Sequence, residues 1–251
     1  MFIGVDIGSR SIKVAAWQEG KLVDFKIEES GFEPNEQARA MVAPYQAKNI
    51  VATGYGRHLA KEHFADQVIT EIKAHGMGVH ALLPAVTTIV DVGGQDSKVI
   101  TLNAKGKVAN FQMNDKCAAG TGRFLEIMAA SLAYPLKDFG PSALESEQAV
   151  KINSMCTVFA ESEVISMKNR GIPREQIAKA VHCSVADRII AMLKRLGIGE
   201  SVAFSGGVAN NTCIVQMIRD RLENVPLTVP DNPIIIGALG AAIAAAKFRE
   251  S

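Results

Sequence analysis

The sequence predicts an α/β protein made of two related lobes, each built on a mixed sheet, and three observations lead to this prediction. The segment DIGSRSIKV at residues 6–14 returns as DVGGQDSKV at residues 91–99, with Asp, Gly, Lys and Val in the same places. The match continues in GKLVDF at residues 20–25, which corresponds to GKVANF at residues 106–111, with one residue inserted in the second copy. Around these copies, β-rich runs alternate with helical patterns. A duplicated strand–turn–strand unit therefore organises the chain.

The first copy opens a β-rich segment that is followed by helices. Three short strands are expected, over residues 2–5, 12–17 and 22–27. A helix is expected over residues 33–46, with Pro34 near its start, and a strand in NIVATGYG follows it. Residues 58–83 are expected to be mostly helical, with an interruption at the Gly-Met-Gly of residues 76–78.

The pattern starts again at Pro84. Strands are expected in TTIVDVGG, SKVITLN, KVANFQM and VAFSGG, with LTVP as a short last strand. Helices are expected over residues 121–132, 159–169, 174–196 and 211–223, and a buried C-terminal helix in IIIGALGAAIAAAKFRE. The duplication places the first lobe at residues 1–85, the second at residues 86–233, and a C-terminal helix that returns to the first lobe at residues 234–251.

The composition argues against several classes of protein. A chain of 251 residues is long enough to bury a real core, and its formal net charge of +1 gives no general reason to expect nucleic acid or an anionic membrane as partner. No window reaches the roughly 18 apolar residues of a membrane span, and the start lacks the basic region of a signal peptide, so a cytoplasmic protein is expected. The four cysteines argue against a secreted disulfide scaffold.

Each copy of the duplicated unit carries half of a phosphate site. Backbone N–H groups in the two turns can bind anionic oxygens, and small residues there let a phosphate come close. These turn residues are Gly8, Ser9, Gly93 and Gly94. Asp6 and Asp91, at strand ends, are placed to hold Mg²⁺ through waters, and Lys13 and Lys98 on the return strands can reach a phosphate or an opposing carboxylate. The alternative, two solvated hairpins, is less favoured because two copies match.

A third glycine-rich turn, FSGGVANN at residues 204–211, follows a strand and opens a helix. Gly206 and Gly207 are expected to bind nucleotide there, because helix N-termini favour phosphate. Asn210 or Asn211 is expected to cap the helix or to contact a ribose. This turn completes the nucleotide-binding candidates.

Two weaker patterns are set aside. GYGRHLA at residues 54–60 fits the dinucleotide pattern after a strand, but no clear acidic strand end follows about twenty residues later. The histidines form no HExxH pair. His75 and His80 flank the Gly-Met-Gly and are expected to serve packing or hydrogen bonds between the lobes rather than a metal.

Two of the cysteines precede expected helix starts, in NDKCAAGTGRFLE for Cys117 and SMCTVFAESEVISMK for Cys156. Helix N-termini stabilise thiolates, so these two are the metal-competent cysteines, whereas Cys183 and Cys213 lie in helical patterns and are expected in the core. Two thiolates cannot complete a four-cysteine cluster site, but a symmetric dimer supplies the same pair again. From the residues alone, a dimer-bridging cluster, buried thiols and a redox-sensitive pair all stay open.

Taken in order, the motifs resemble those of the actin/Hsp70/sugar-kinase superfamily. DIGSRSIK resembles its first phosphate motif, DVGGQDSK its second, FSGGVANN its adenosine motif and IIIGALGAA its connecting helix. The resemblance implies two duplicated ribonuclease-H-like lobes with ATP in the cleft between them, and lobe closure coupled to hydrolysis. Gln95, in the second phosphate turn, is then placed to orient the attacking water, with a surface glutamine of no special role as the alternative.

The combination of DVGGQDSK, NDKCAAGTGRF and CTVFAESEVIS resembles more closely the activator ATPases of 2-hydroxyacyl-CoA dehydratases and their benzoyl-CoA reductase relatives. This resemblance implies one 4Fe–4S cluster per homodimer, held by Cys117 and Cys156 of both subunits. Cofactor-binding roles are implied for Gly120 and Gly122, and a contact to ribose or adenine for Glu163. An exposed helical acid is the alternative for Glu163.

The function that the resemblance implies is ATP-dependent reductive activation. ATP hydrolysis with Mg²⁺ would drive a low-potential electron to a partner iron–sulfur dehydratase or reductase, with ferredoxin or flavodoxin as the donor. A small-molecule kinase on the same fold and a non-catalytic, ATP-switched scaffold are the alternatives. Such kinases usually add segments for a sugar pocket, and the duplicated lobes leave little spare chain at this length.

Overall fold

The computed structural model describes residues 1–148, 150–154 and 156–250, with the side chains of the last two of these residues left out of the description. The chain divides into two compact units. The first unit contains residues 1–89, 100–111 and 230–251, and the second contains residues 90–99 and 112–229. Residues 100–111, which belong to the second copy of the duplicated unit, and the C-terminal segment thus group with the first unit.

The sheet of the first unit is mixed. Its strands are β1 (Phe2–Ile7), β2 (Ser11–Gln18), β3 (Lys21–Glu29), β4 (Asn49–Gly54) and β5 (Gln67–Val68). They lie in the order β3-β2-β1-β4-β5, with β1, β2 and β3 antiparallel and β1, β4 and β5 parallel. The three strands expected at the start of the chain are confirmed, each longer than the sequence indicated.

The helices of the first unit are α1 (Pro34–Val42), α2 (Arg57–His63), α3 (Glu71–Leu82) and α9 (Ile236–Glu250). The predicted interruption at residues 76–78 is wrong, because α3 runs through both glycines and the break falls before it, at β5. The glycines are needed for packing: a Cβ at Gly78 would lie 2.4 Å from the carbonyl oxygen of Ile236. From the other side, a Cβ at Gly240 would lie 1.8 Å from the carbonyl oxygen of Ala74. The backbones of α3 and α9 therefore approach each other closely.

A second five-stranded sheet has the order β10-β9-β6-β7-β8. Its strands are β6 (Thr88–Val92), β7 (Ser97–Leu102), β8 (Val108–Asn114), β9 (Val202–Ser205) and β10 (Leu227–Thr228). The repeat of the strand–turn–strand unit, predicted from the duplicated motif, is thus confirmed as β6 and β7.

The helices of the second unit are α4 (Gly122–Ser131), α5 (Leu136–Leu144), α6 (Thr157–Asn169), α7 (Arg174–Leu196) and α8 (Thr212–Leu222). Helix α5 was not expected from the sequence, because Gly140 and Pro141 lie inside it. Its apolar face nevertheless drives it into the core, where Phe139 is fully buried and its ring lies 4.6 Å from that of His182 on α7. Burial of that face offsets the two poor helix formers.

The third glycine-rich turn forms a 3₁₀ turn over Gly207–Asn210, and α8 begins after it. Asn211, not Asn210, caps this helix, since its side-chain oxygen accepts from the N–H of Ile214 at 3.1 Å. Within the described ranges, no helix combines the length and the hydropathy that crossing a membrane requires.

Candidate functional site

The first phosphate turn is held by an ion pair and by backbone hydrogen bonds. Asp6 on β1 and Lys13 on β2 are register partners, with Lys13 Nζ 3.3 Å from Asp6 Oδ2. The turn between them closes when the N–H of Gly8 donates to the carbonyl of Ser11 at 3.1 Å. The hydroxyl of Ser30 donates to the carbonyl of Gly8 at 2.9 Å. The turn therefore brings Asp6, Gly8 and Lys13 together, and their role in binding phosphate and Mg²⁺ stays a prediction.

Small and polar residues surround the Asp6 carboxylate. Gly54, with φ of +87°, lies so close that a Cβ there would be 2.6 Å from Asp6 Oδ1. A Cβ at Gly237 would be 3.2 Å from both Asp6 Oδ2 and His75 Nε2. Thr53, the register partner of Asp6 on β4, has a buried hydroxyl without a hydrogen-bond partner among the described residues. A carboxylate beside an unsatisfied hydroxyl fits a hydrated Mg²⁺ ion, which favours oxygen ligands and keeps its waters.

A buried trio of charges forms the second phosphate turn. Lys98 Nζ lies 3.4 Å from Asp91 Oδ2 and 2.7 Å from Asp96 Oδ1, and the three side chains are almost fully buried. The N–H of Gly93 donates to the carbonyl of Asp96 at 2.9 Å, which closes the turn. Two carboxylates thus share one buried ammonium, which holds both of them at the turn. The role of Asp96 was missed in the sequence, although its place in GGQDSK was the available signal.

The third turn lies against the second in the same unit. The hydroxyl of Ser205 donates to Asp91 Oδ1 at 3.1 Å. Gly206 has φ of +86°, and a Cβ there would be 2.8 Å from the same oxygen. Gly207 and Asn210, farther along the turn, are exposed. Ser205 is a second residue that was missed, because only its position on β9 next to β6 reveals its contact.

A buried histidine fixes the end of this turn. His182 is fully buried, and its ring lies 4.6 Å from that of Phe139. Its Nδ1 contacts the carbonyl of Ala178 at 2.7 Å, so this nitrogen carries the proton, and Nε2 accepts from the Asn211 amide at 3.0 Å. Burial lowers the pKa of His182 to about 4. The neutral ring thereby orients the side chain that caps α8.

Gln95 and Ser9 are exposed in their respective turns. Exposure leaves both side chains accessible to a ligand at the turns. The role of Gln95 in orienting water, and that of Ser9 in binding phosphate, stay predictions.

The loop that bears Cys117 is bonded to the second phosphate turn. Cys117 is exposed, and its carbonyl accepts from the Asn114 amide at 2.9 Å. Farther along the loop, the buried Ser97 hydroxyl donates to the carbonyl of Gly120 at 2.6 Å. Two backbone hydrogen bonds, both 2.9 Å, run from Gly122 N to Gly93 O and from Arg123 N to Gly94 O. The turn and the cysteine loop are thus one hydrogen-bonded unit.

Cys156 is exposed at the N-cap position of α6. Glu163, two turns into this helix, accepts from the N–H of Asn153 at 2.9 Å and from the hydroxyl of Ser154. The Ser154 hydrogen bond holds the pKa of Glu163 below its usual range. Glu163 therefore anchors the segment before Cys156, and its predicted contact with ribose or adenine stays a prediction.

The other two cysteines differ from this exposed pair. Cys213 is fully buried and Cys183 is half-buried, as expected for thiols on packed helices. Burial raises the pKa of Cys213 to about 12, so it stays a neutral thiol. Within the part of one chain that the structure describes, no group of three or more His, Cys, Asp or Glu side chains is placed to hold a metal.

The sheets and turns define the class of protein. Two five-stranded sheets flanked by helices, with matched acidic turns, form the fold of the actin/Hsp70/sugar-kinase superfamily, as the sequence predicted. A ROK-family glucokinase from Streptomyces griseus shares this fold at 14% identity, with a TM-score of 0.64 and coverage of 98% of this chain and 99% of the kinase. At that identity the likeness concerns the fold alone.

The chain belongs to the BadF/BadG/BcrA/BcrD ATPase family, which matches residues 3–245, and it is therefore an ATPase. It is 40% identical to a 2-hydroxyisocaproyl-CoA dehydratase activator from Clostridioides difficile, over 96% of this chain and 93% of the relative. A solved structure of that type of activator from Clostridium difficile, with bound ADPNP, has a TM-score of 0.90 at 38% identity and covers 100% of this chain and 97% of its own. Component A of the (R)-2-hydroxyglutaryl-CoA dehydratase of Acidaminococcus fermentans has a TM-score of 0.92 at 37% identity, covering 100% and 99%.

Proposed function

We propose that this ATPase is a reductive activator, which uses ATP hydrolysis to deliver a low-potential electron to a partner iron–sulfur enzyme such as a 2-hydroxyacyl-CoA dehydratase. One observation carries the proposal: the loop with Cys117 is hydrogen-bonded to the second phosphate turn. These hydrogen bonds would transmit a movement of the turn on ATP hydrolysis to the loop that bears the Cys117 thiol. The relatives named as dehydratase activators support the choice of partner.

ATP and Mg²⁺ are assigned to the glycine-rich turns. Gly8 and Gly93 would admit phosphate oxygens at the two turns, with Lys13 beside the first, while the buried Lys98 holds Asp91 in place. Asp6 and Asp91 would hold the hydrated cation. A family member with bound ADPNP supports a nucleotide site in this fold. Gln95 would orient the attacking water from the second turn.

Cys117 and Cys156 of two copies would hold a 4Fe–4S cluster, which when bound supplies one-electron chemistry at low potential. Both thiols are exposed, and neither is in a disulfide. Helices α4 and α6, which follow them, pack on each other. Val158 and Phe159, next to Cys156, are each 66% exposed. Such apolar surface is the kind that a second copy covers, which supports a homodimer.

We assign the electron donor to the ferredoxin or flavodoxin class, as the resemblance to the activator family implies. A cytoplasmic location belongs to the same proposal and rests on the sequence alone. The assignment of the donor depends on the activator role and would be withdrawn with it.

The first test is the content of iron and acid-labile sulfide, measured with the solution mass on protein purified without oxygen. We expect a dimer with about four irons, as one shared 4Fe–4S cluster requires. A monomer without iron, even after anaerobic reconstitution, would leave the ATPase fold in place. That result would favour the small-molecule kinase or the ATP-switched scaffold as the function.

Cysteine variants make the same test specific. Cys117→Ala or Cys156→Ala should abolish iron binding and weaken the dimer, because each removes two of four ligands. Cys183→Ala is the matched control and should retain iron, at a stability cost of about 1 kcal/mol or less. Iron content and mass that are equal in all three variants would contradict the assignment.

A further inference from the structure

A cavity of about 890 Å³ lies in the first unit, where α3, the turn between β7 and β8, and α9 meet. Its volume lies within the roughly 300–1,000 Å³ of small-molecule sites. None of the residues assigned above to nucleotide, Mg²⁺ or the cysteines lines it. The cavity is therefore distinct from the proposed ATPase machinery.

The floor of the cavity is apolar. Met77 of α3, Val108 of β8, and Ile243 and Phe248 of α9 contribute to it. Phe111, at the edge of the cavity, remains 50% exposed. An apolar floor of this kind favours a ligand with a hydrocarbon or aromatic body.

The rim of the cavity is basic. Lys73, Lys105, Lys107 and Lys247 line it, whereas no aspartate or glutamate does so among the residues described. Lys73 Nζ lies 5.5 Å from the ring centroid of Phe248, so this lysine stays close to the floor. Cations of one sign around a concave apolar surface focus a field that attracts anions.

The turn with two of these lysines is held in place by specific contacts. The Asn103 side-chain oxygen accepts from the N–H of Lys105 at 2.9 Å and from that of Lys107 at 3.1 Å. Gly106 has φ of +68°, and a Cβ there would be 2.2 Å from the His80 ring. The turn therefore rests on the imidazole, and only glycine permits this approach.

His80 also lines the cavity, and its buried Nδ1 has no hydrogen-bond partner among the described residues. The cavity thus combines an apolar floor and a basic rim with a histidine in its wall.

From this combination we infer that the cavity binds an anionic amphiphile, a small molecule whose apolar body fills the floor and whose carboxylate or phosphate lies among the lysines. Carboxylate amphiphiles and phosphate-bearing thioesters share this chemistry. Two probes separate these sources: decanoate carries only a carboxylate, and decanoyl-CoA carries phosphates.

The experiment is calorimetric titration of the full-length dimeric protein with decanoate, decanoyl-CoA and CoA. We expect saturable binding of at least one of the two decanoyl probes, and binding at least tenfold weaker for CoA without the chain. Binding of decanoate would assign a carboxylate site, and binding of decanoyl-CoA alone would assign a phosphate site. Saturation by neither probe, or equal affinity for CoA and decanoyl-CoA, would overturn the inference.

Two variants localise the binding. The double variant Lys105→Glu/Lys107→Glu reverses two exposed rim charges, and Ala81→Trp fills the cavity from an exposed position on α3. Each variant should bind the probe at least tenfold more weakly than the wild type does. Lys21→Glu/Lys48→Glu, exposed in the same unit but outside the cavity, is the charge-matched control and should bind as the wild type does. Unchanged binding in both cavity variants would place the probe elsewhere and overturn the inference. The thermal unfolding of every variant should match that of the wild type, so that weaker binding is not a loss of fold. Iron content is measured on the same samples, because a failure of the activator proposal appears there and not in the binding of the probe.

Discussion

A single lysine organises the second phosphate turn. Lys98 lies between Asp91 and Asp96, and all three side chains are nearly inaccessible to water. Replacing the lysine would leave two buried carboxylates without this ammonium, so position 98 tolerates substitution poorly. The arrangement also aims Asp91 at the turn, where Ser205 fixes its other oxygen at 3.1 Å.

We expect Asp91→Asn to lower the rate of ATP hydrolysis by about 100-fold or more, because a preorganised charge is removed from the phosphate turn. Iron content should stay at the wild-type value, since the cysteine loop is bonded to Gly93 and Ser97 rather than to Asp91. Phosphate release and iron are measured on the same preparation. Asp231→Asn, at an exposed position, is the control. Loss of iron in Asp91→Asn would show that structural and hydrolytic roles are not separate.

His182 should make stability depend on pH. Its pKa falls from 6.5 to about 4 on folding, a difference of about 2.5. Between these values the unfolded chain binds the proton and the folded chain does not. The free energy of unfolding therefore rises with pH across that window, by roughly 3 kcal/mol, and the gain is lost as the pH falls towards 4.

Chemical denaturation of the wild type and of His182→Gln, at several pH values between 4 and 6.5, measures this difference. The amide of glutamine can still accept from Asn211 but does not titrate, so the variant should lose this part of the slope. Parallel pH dependences in the two proteins would contradict the role of the neutral ring.

At the scale of whole elements, the close pairing of α3 with α9 holds the first unit together. A Cβ at Gly240 would lie 1.8 Å from a carbonyl oxygen of α3. The same two helices place His75 and Gly237 beside Asp6, and His80 and Ile243 at the cavity. Their spacing therefore sets the geometry of both places.

Gly240→Ala should destabilise the protein by about 3 kcal/mol or more, because the two backbones must separate to admit a methyl group. The free energy of unfolding from urea titration measures this effect. Gly31→Ala is the control, since the nearest atom to a Cβ there is the end of the Gln37 side chain at 3.4 Å. Equal stability of the two variants would contradict the close approach of α3 and α9.

The sequence predicted most elements, and its errors have physical causes. The Gly-Met-Gly in α3 predicts a break when it is considered alone, whereas Gly78 is needed because α9, more than 150 residues later, packs against it. Helix α5 was missed because Gly140 and Pro141 argue against a helix locally. The helix is stabilised by the burial of its apolar face in the core, which the sequence does not show. Local patterns carry no information about such distant partners.

The candidate site likewise contains contacts that the sequence predicted and contacts that it did not. The duplicated motif predicted that Lys13 and Lys98 reach a phosphate or an opposing carboxylate. In the structure they contact Asp6 and Asp91, because these residues face each other across one turn. The contributions of Asp96 and Ser205 depend on packing around the turn and on a distant strand. Their residue types are common in loops, so the sequence alone did not single them out.

At the scale of the whole molecule, hydrogen bonds link the second phosphate turn to the loop of an exposed thiol, that of Cys117. Ser97 is the side chain that makes this link, since its buried hydroxyl bonds the loop of Cys117. A cluster held by two such loops in a dimer would sense the state of both turns. Hydrogen bonding and exposure around the sulfurs set the potential of such a cluster.

The most direct test is the midpoint potential of the anaerobically purified protein with ADP and with a non-hydrolysable ATP analogue. The account predicts that the two potentials differ in the wild type. The difference should shrink in Ser97→Ala, while Ser184→Ala, which loses a hydrogen bond within α7, behaves as the wild type. Identical potentials with both nucleotides in the wild type would contradict the coupling of the phosphate turn to the cysteine loop.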